Sequence, residues 1–302
     1  MIDIGASVIA RLKIKAQKEG TQLQLFLNLF CQEEFLRRIQ KSKYHENLIL
    51  KGGFLLYSLS QFESRPTMDA DYLLNNQPNS IEAVEEMVKE IICSPTKNHF
   101  IKLEIRDTEL IAENREYSGV RIHLIGFINK TRTPFCVDMG VGDIIYPSPV
   151  NRVLPILLPD FENPEVLTYS LESIIAEKFD AIVSRMELSG RMKDFFDIYY
   201  LALKTNFDGN KLQEAIIKTF LNRGTSHEVD ILQRIHNLSN DTDISTRWKT
   251  FCKKTLRLQI DFNIVLNLIY KFLKVPYEAI LNDSVCYEYW NSEEKEYSIK
   301  IR

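Results

Sequence analysis

The segment LKGGFLLYSLSQFESRPTMDADYLL, residues 50–74, holds the only Gly-Gly pair in a chain of 302 residues with just 11 glycines. The apolar run Leu48–Leu50 before it reads as a short strand, Phe54–Leu59 as the start of a helix, and Met68–Leu74 as a returning strand. Side chains alternate along a strand, so Asp69 and Asp71 project from one face with Cα atoms roughly 6.5–7 Å apart. Their neighbours Met68, Ala70, Tyr72 and Leu73 are apolar or aromatic, as expected of a strand packed on a core. Two like charges side by side there are costly unless a cation balances them, and two carboxylates so placed suit a shared Mg²⁺ or Mn²⁺. A Gly-Gly turn leading into a helix brings backbone N–H groups and a helix N-terminus close to an anion, which suits the phosphates of a nucleoside triphosphate. Fifteen residues separate Gly53 from Asp69, enough for a short helix and a return to the same end of the sheet. Taken singly, a Gly-Gly pair is an ordinary tight turn and an Asp-x-Asp a solvated strand edge; their combination points to a nucleotide site.

Outward from this segment, residues 5–18 and 21–41 read as helices. Residues 80–93 form an amphipathic helix with Ser80 as N-cap, and Phe100–Ile105, Val120–Ile128 and Pro134–Met139 read as strands. The Pro-rich stretch 147–164 marks a boundary, beyond which helices are expected at 170–188, 191–204, 209–222, 228–238, 244–257 and 260–273. The expected fold is therefore α+β: N-terminal helices over 1–45, a mixed-sheet core with flanking helices over 46–164, and an all-helical C-terminal domain over 165–302.

Hydrophobic residues make up 45% of the chain and charged residues 26%, a composition that argues for a folded protein and against disorder. No run approaches the roughly 18 apolar residues of a membrane helix, and the N-terminus carries charges where a signal peptide would be apolar, so a cytoplasmic location without membrane attachment is expected. Five scattered cysteines without CxxC spacing suggest neither a disulfide framework nor a zinc site. A net charge of -3 gives no global attraction to nucleic acid, so any such partner needs a local patch. Arg37, Arg38, Lys41 and Lys43 form one candidate, Arg185, Arg191 and Lys193 a second, and Lys253, Lys254 and Arg257 a third, each equally readable as a solvated helix face.

A second constellation lies at ESIIAEKFDAIVSRMELSGRMKDFFDIY, residues 172–199. Leu171, Ile174, Ile175, Lys178, Phe179, Ile182 and Met186 fall on one helical face, which sets Lys178 inside an apolar stripe where it requires a buried anion. Asp194, Asp197, Ile198 and Leu201 share a face of the next helix, so a Lys178–Asp194 ion pair is the structural explanation beside a catalytic one. Asp138, in PFCVDMGVGD, faces the same side of its strand as Cys136 and is the candidate third carboxylate, with Asp143 and Glu104 as alternatives and a strand-end cap as the ordinary reading. The five histidines show no spacing that suggests a metal or a triad.

These two motifs together resemble the AbiEii/AbiGii toxin family, a branch of the polymerase-β-like nucleotidyltransferases. Its pattern is Gly-Gly or Gly-Ser, a helix, Arg-x-Thr and then Asp-x-Asp; Lys51, Gly52, Gly53, Arg65, Thr67, Asp69 and Asp71 fall in place. The Glu-Lys helix followed by Arg-x-Lys-Asp-Phe-Tyr-Asp matches through Lys178 and Asp194, with Phe196 in place of the second Tyr. The similarity extends over nearly the whole chain, including the helices around Trp248. The resemblance implies a polymerase-β-like core and a Mg²⁺-dependent transfer of a nucleoside monophosphate from an NTP. Asp69 and Asp71, with Asp138, would hold the metal, and Lys51, Gly52, Gly53 and Arg65 the nucleotide. Lys178 would meet the triphosphate, with Asp194 orienting it or serving as base. It further implies a type IV toxin-antitoxin or abortive-infection role, with tRNA as the favoured acceptor and a cognate antitoxin or its operon as partner. Two other readings stay open: a nucleotide-binding module that acts on a partner protein without turnover, and a nucleotidyltransferase acting on an antibiotic.

Overall fold

In the computed structural model, which describes residues 3–111, 119–186 and 190–299, the segment 50–74 occupies the middle of a seven-stranded mixed sheet. Strands β1 (Leu48–Lys51), β2 (Asp69–Leu74), β3 (Ile101–Ile111), β4 (Gly119–Ile128), β5 (Thr131–Gly140), β6 (Val150–Val153) and β7 (Glu165–Thr168) lie in the order β3-β4-β5-β2-β1-β7-β6. β2 runs antiparallel to β1 and parallel to β5, while β3, β4 and β5 form an antiparallel meander. The helix α3 (Gly52–Leu59) carries the chain from β1 to β2.

Alternation along β4 and β5 sorts the two faces of the sheet. Val120, Ile122, Leu124, Phe135, Val137 and Met139 are buried, whereas Arg121, His123, Cys136 and Asp138 face the half-open side. Helix α2 (Leu23–Lys41) packs on the apolar face, following α1 (Ile4–Lys18), and α4 (Ile81–Cys93) lies beside it. Gly126 lets α2 come close, since a Cβ there would sit 2.3 Å from the Cys31 sulfur. Gln32, fully buried in α2, donates to the Met68 carbonyl at 2.6 Å and so fixes the entry into β2. Ser80 caps α4 by accepting the Ala83 N–H, as its sequence predicts.

The Pro-rich stretch expected as a connector contributes β6, and β7 follows it; both add to the edge of the first sheet beyond β1. By contacts the chain divides into one unit of Met1–Gly142 with Val150–Thr168 and a second of Asp143–Pro149 with Tyr169–Arg302. Side chains explain why 143–149 joins the second unit. Arg223 binds Asp143 at 2.7 Å, and the hydroxyls of Ser170 and Ser173 donate to the Tyr146 carbonyl.

The second unit is built from α5 (Leu171–Val183), α6 (Met192–Lys204), α7 (Gly209–Arg223), α8 (Ile231–His236), α9 (Thr242–Phe251) and α10 (Phe262–Leu281). Helix α10 runs eight residues past the expected end at 273 and contains Pro276, which the sequence reading would place outside a helix. To the expected helices the structure adds a three-stranded sheet of β8 (Phe207–Asp208), β9 (Glu288–Asn291) and β10 (Glu296–Ile299), anchored by Trp290, whose indole N–H donates to the Ala202 carbonyl at 2.7 Å.

Candidate active site

Gly52 adopts φ +70°, a left-handed conformation that glycine reaches without strain. A Cβ on it would lie 2.2 Å from Asp71 Oδ2, so the Asp71 carboxylate rests against the bare glycine backbone. Gly53 is backed by Arg65: a Cβ there would meet the guanidinium at 3.0 Å and Thr67 Oγ1 at 3.4 Å. Arg65 is buried, which ties it to the first turn of α3. Lys51, the residue before this helix, supplies no side-chain cap to it. The start of α3, a helix N-terminus suited to an anion, lies next to an exposed Asp69 and a half-buried Asp71.

Strand pairing brings in residues that sequence spacing cannot relate. Asp71 is in register with Asp138 on β5 and with Lys51 on β1, and Asp69 is in register with Cys136. Residues paired across neighbouring strands project from one face, so Asp69, Asp71 and Asp138 share it. Of the three acids weighed for the third position, Asp138 is the one beside Asp71. Asp143 is bound by Arg223, and Glu104, out on β3, is paired with Lys102 at 2.6 Å. Asp138 is itself engaged: Arg121 on β4 grips it with two 2.7 Å bonds, Nε to Oδ1 and Nη2 to Oδ2. That pairing, led by the hydrogen bond, holds the Arg121 pKa above its ordinary value. Sequence reading did not single out Arg121. Its one signal was a cation alternating with apolar residues in GVRIHLIGFI, and the acid it meets is set by the register of β4 on β5.

His123 and Cys136 lie next along the same face, with the sulfur 3.2 Å from Nδ1 and Glu109 Oε1 3.0 Å from Nε2. Burial raises the Cys136 pKa, against the opposing pull of Arg121.

Among the described residues no three His, Cys, Asp or Glu side chains are gathered as a ready metal cluster. The donor chemistry of Asp69 and Asp71 nonetheless fits a hard divalent cation: both are carboxylates on one face, one exposed and one half-buried. Asp138 is a carboxylate on the same face, with both oxygens bound by Arg121.

In the second unit Lys178 is buried, as its place in an apolar stripe requires. Its ammonium lies 3.1 Å from Asp194 Oδ1 and 2.6 Å from Asp197 Oδ2, while Arg191 reaches Asp194 Oδ2 at 2.8 Å. The expected partner Asp194 is present. Asp197, placed by the sequence on the same helical face without a role, is the closer of the two carboxylates.

A family model described as the nucleotidyl transferase AbiEii toxin of type IV toxin-antitoxin systems matches residues 34–272. The chain belongs to the AbiEii nucleotidyltransferase toxin family. It is accordingly a nucleotidyltransferase, and both motifs described above fall within the matched region. Among solved structures, an H. pylori protein provisionally described as a nucleotidyltransferase aligns with TM-score 0.49 and 14% identity, covering 82% of this chain and 96% of its own. JHP933 from Helicobacter pylori aligns with TM-score 0.49 and 16% identity over 85% and 96% of the two chains. No curated protein matches the chain. No helix among the described residues of this AbiEii family member is long and apolar enough to cross a membrane.

Proposed function

We propose that this AbiEii family toxin transfers a nucleoside monophosphate from an NTP to an acceptor hydroxyl on RNA, the 3′ end of tRNA being the favoured acceptor, with Mg²⁺ held by Asp69 and Asp71. The observation that supports the reading is the close approach of Asp71 to Gly52 at the start of α3, which sets a carboxylate beside a glycine turn at a helix N-terminus. A bound divalent cation would neutralise charge developing on the leaving pyrophosphate. The chain's own residues do the rest. The Gly52-Gly53 turn and α3 receive phosphate oxygens, Lys51 adds a cation in register with Asp71, and Arg65 keeps the turn in shape from beneath. Lys178, in the second unit, is the proposed catalytic cation and Asp194 its orienting group; two buried carboxylates already fix the direction of that ammonium. A cognate antitoxin and a cytoplasmic site of action belong to the same reading.

RNA is favoured over a cationic antibiotic by the stretch 244–260 of the second unit, which contains five cations and no acid. All five, Arg247, Lys249, Lys253, Lys254 and Arg257, are exposed. Such a surface suits a polyanion and repels an aminoglycoside-like substrate.

The test incubates purified protein with each labelled NTP and total tRNA, with and without Mg²⁺, beside Asp71→Ala. Label transferred by the wild type only, and only with the metal, is the expected result. Removing one ligand should cost transfer at least about 100-fold, since metal stabilisation of the transition state amounts to several kcal/mol. Equal labelling by both proteins rejects the assigned acids.

A further inference from the structure

One row of charged side chains crosses five strands of the sheet. Glu109 on β3 is in register with Arg121 on β4, Arg121 with Asp138 on β5, Asp138 with Asp71 on β2, and Asp71 with Lys51 on β1. Neighbouring strands lie about 4.8 Å apart, so each charge in this row is within strong Coulomb reach of the next. The signs along it are minus, plus, minus, minus, plus. The two central carboxylates, Asp138 and Asp71, are therefore flanked by internal cations.

Arg121 is placed to compete. Its planar fork makes two parallel bonds to both oxygens of Asp138, the geometry that best satisfies a carboxylate. The charge of Asp69 also acts on it, so its field extends over the acids of both strands. The same fork matches a phosphate as well as a carboxylate, and a lysine's point charge does not. Glu109 lies 4.0 Å from Nη1 on the other side of the row. Building on the metal-dependent transfer proposed above, we infer that Arg121 is the resident counter-charge of the acid row: it occupies Asp138 in the free protein and exchanges that carboxylate for a phosphate oxygen when cation and triphosphate bind. Arg121 is thus a positioning residue that couples metal loading to nucleotide binding. The competing explanation is a permanent strut between β4 and β5, under which Asp138 never becomes available to a metal.

Mn²⁺ titration followed by electron paramagnetic resonance on the full chain separates the two. Without nucleotide, Arg121→Gln should bind Mn²⁺ about tenfold more tightly than the wild type, because its rival for Asp138 is gone. Arg121→Gln combined with Asp138→Asn should lose that gain. Addition of a non-hydrolysable NTP analogue should tighten wild-type Mn²⁺ binding more than that of Arg121→Gln. Arg121→Lys, which keeps charge and strand contacts but loses the fork, should fall between the two and serves if the glutamine variant does not fold. Mn²⁺ affinity in Arg121→Gln that equals or falls below the wild type's overturns the inference and leaves the strut. Asp71→Asn tells this failure from that of the underlying reading: it should bind Mn²⁺ far more weakly, and unchanged binding would reject the metal site itself.

Discussion

Gly52 and Gly20 both have φ near +60 to +70°, yet they should respond differently to the same substitution. Nothing lies within 4 Å of a Cβ at Gly20, so Gly20→Ala should cost only the strain of a left-handed residue, about 1–2 kcal/mol, and keep full transfer activity. At Gly52 the added methyl strikes Asp71 Oδ2, so Gly52→Ala should add loss of transfer to that strain. Denaturant midpoints and a transfer assay on both variants check the pair. Lys178 is the other residue with a sharp outcome. Its removal leaves Asp194 and Asp197, both almost fully buried, without their shared cation, and Lys178→Ala should destabilise the protein by about 3–5 kcal/mol in denaturant melts. A Lys178→Ala protein of wild-type stability would show that these carboxylates are protonated or paired elsewhere. What the sequence revealed at this scale followed from local spacing: Gly-Gly, Asp-x-Asp and Lys178 in its stripe. Arg121 stayed hidden because its partner is 17 residues away and chosen by strand register, which no short-range period encodes.

Helix α2 shows the same divide at the level of an element. Its apolar spacing predicts the helix, but Glu33, Glu34 and Arg37 look like a solvated face and are buried. They hold the loops around them: Glu33 accepts the Leu157 N–H at 2.7 Å, Glu34 accepts from Thr96 and Asn98 at 2.6 Å, and Arg37 donates to the Glu162 carbonyl at 2.7 Å. Burial raises the Glu33 pKa from 4.5 to about 7 against the opposing pull of Arg37. Between those values the folded chain binds more protons than the unfolded one, so this group's contribution is greatest below pH 4.5 and is lost as pH climbs through 7. Unfolding free energy should thus fall by a few kcal/mol between pH 5 and 8 from this source. Glu33→Gln should flatten that slope in urea titrations at the two pH values, and an unchanged slope would place the titration elsewhere. The β9–β10 hairpin was missed for a different reason. Its strands, EYWN and EYSI, are four residues each and enclose a polar turn, too short for alternation to outweigh the helical signals before them.

Across the whole molecule, the first unit supplies the acid row and the Gly52-Gly53 turn, while the second carries the buried Lys178 cluster and the exposed cations of 244–260. The family match spans both units. Lys253→Glu with Lys254→Glu should leave stability within about 0.5 kcal/mol, because both side chains are exposed. The same variant should weaken RNA binding and lower the dependence of affinity on salt, measured by fluorescence anisotropy between 50 and 200 mM salt as a range suited to phosphate contacts. An unaltered salt slope would move the RNA surface elsewhere. The most direct measurement of the central claim is a crystal of the protein soaked with Mn²⁺ and a non-hydrolysable NTP analogue, read by anomalous diffraction. The account predicts an anomalous peak within coordination distance of Asp69 and Asp71, with phosphate oxygens on the N–H groups at Gly52 and Gly53. Nucleotide and metal bound together at any other place on the chain would contradict it.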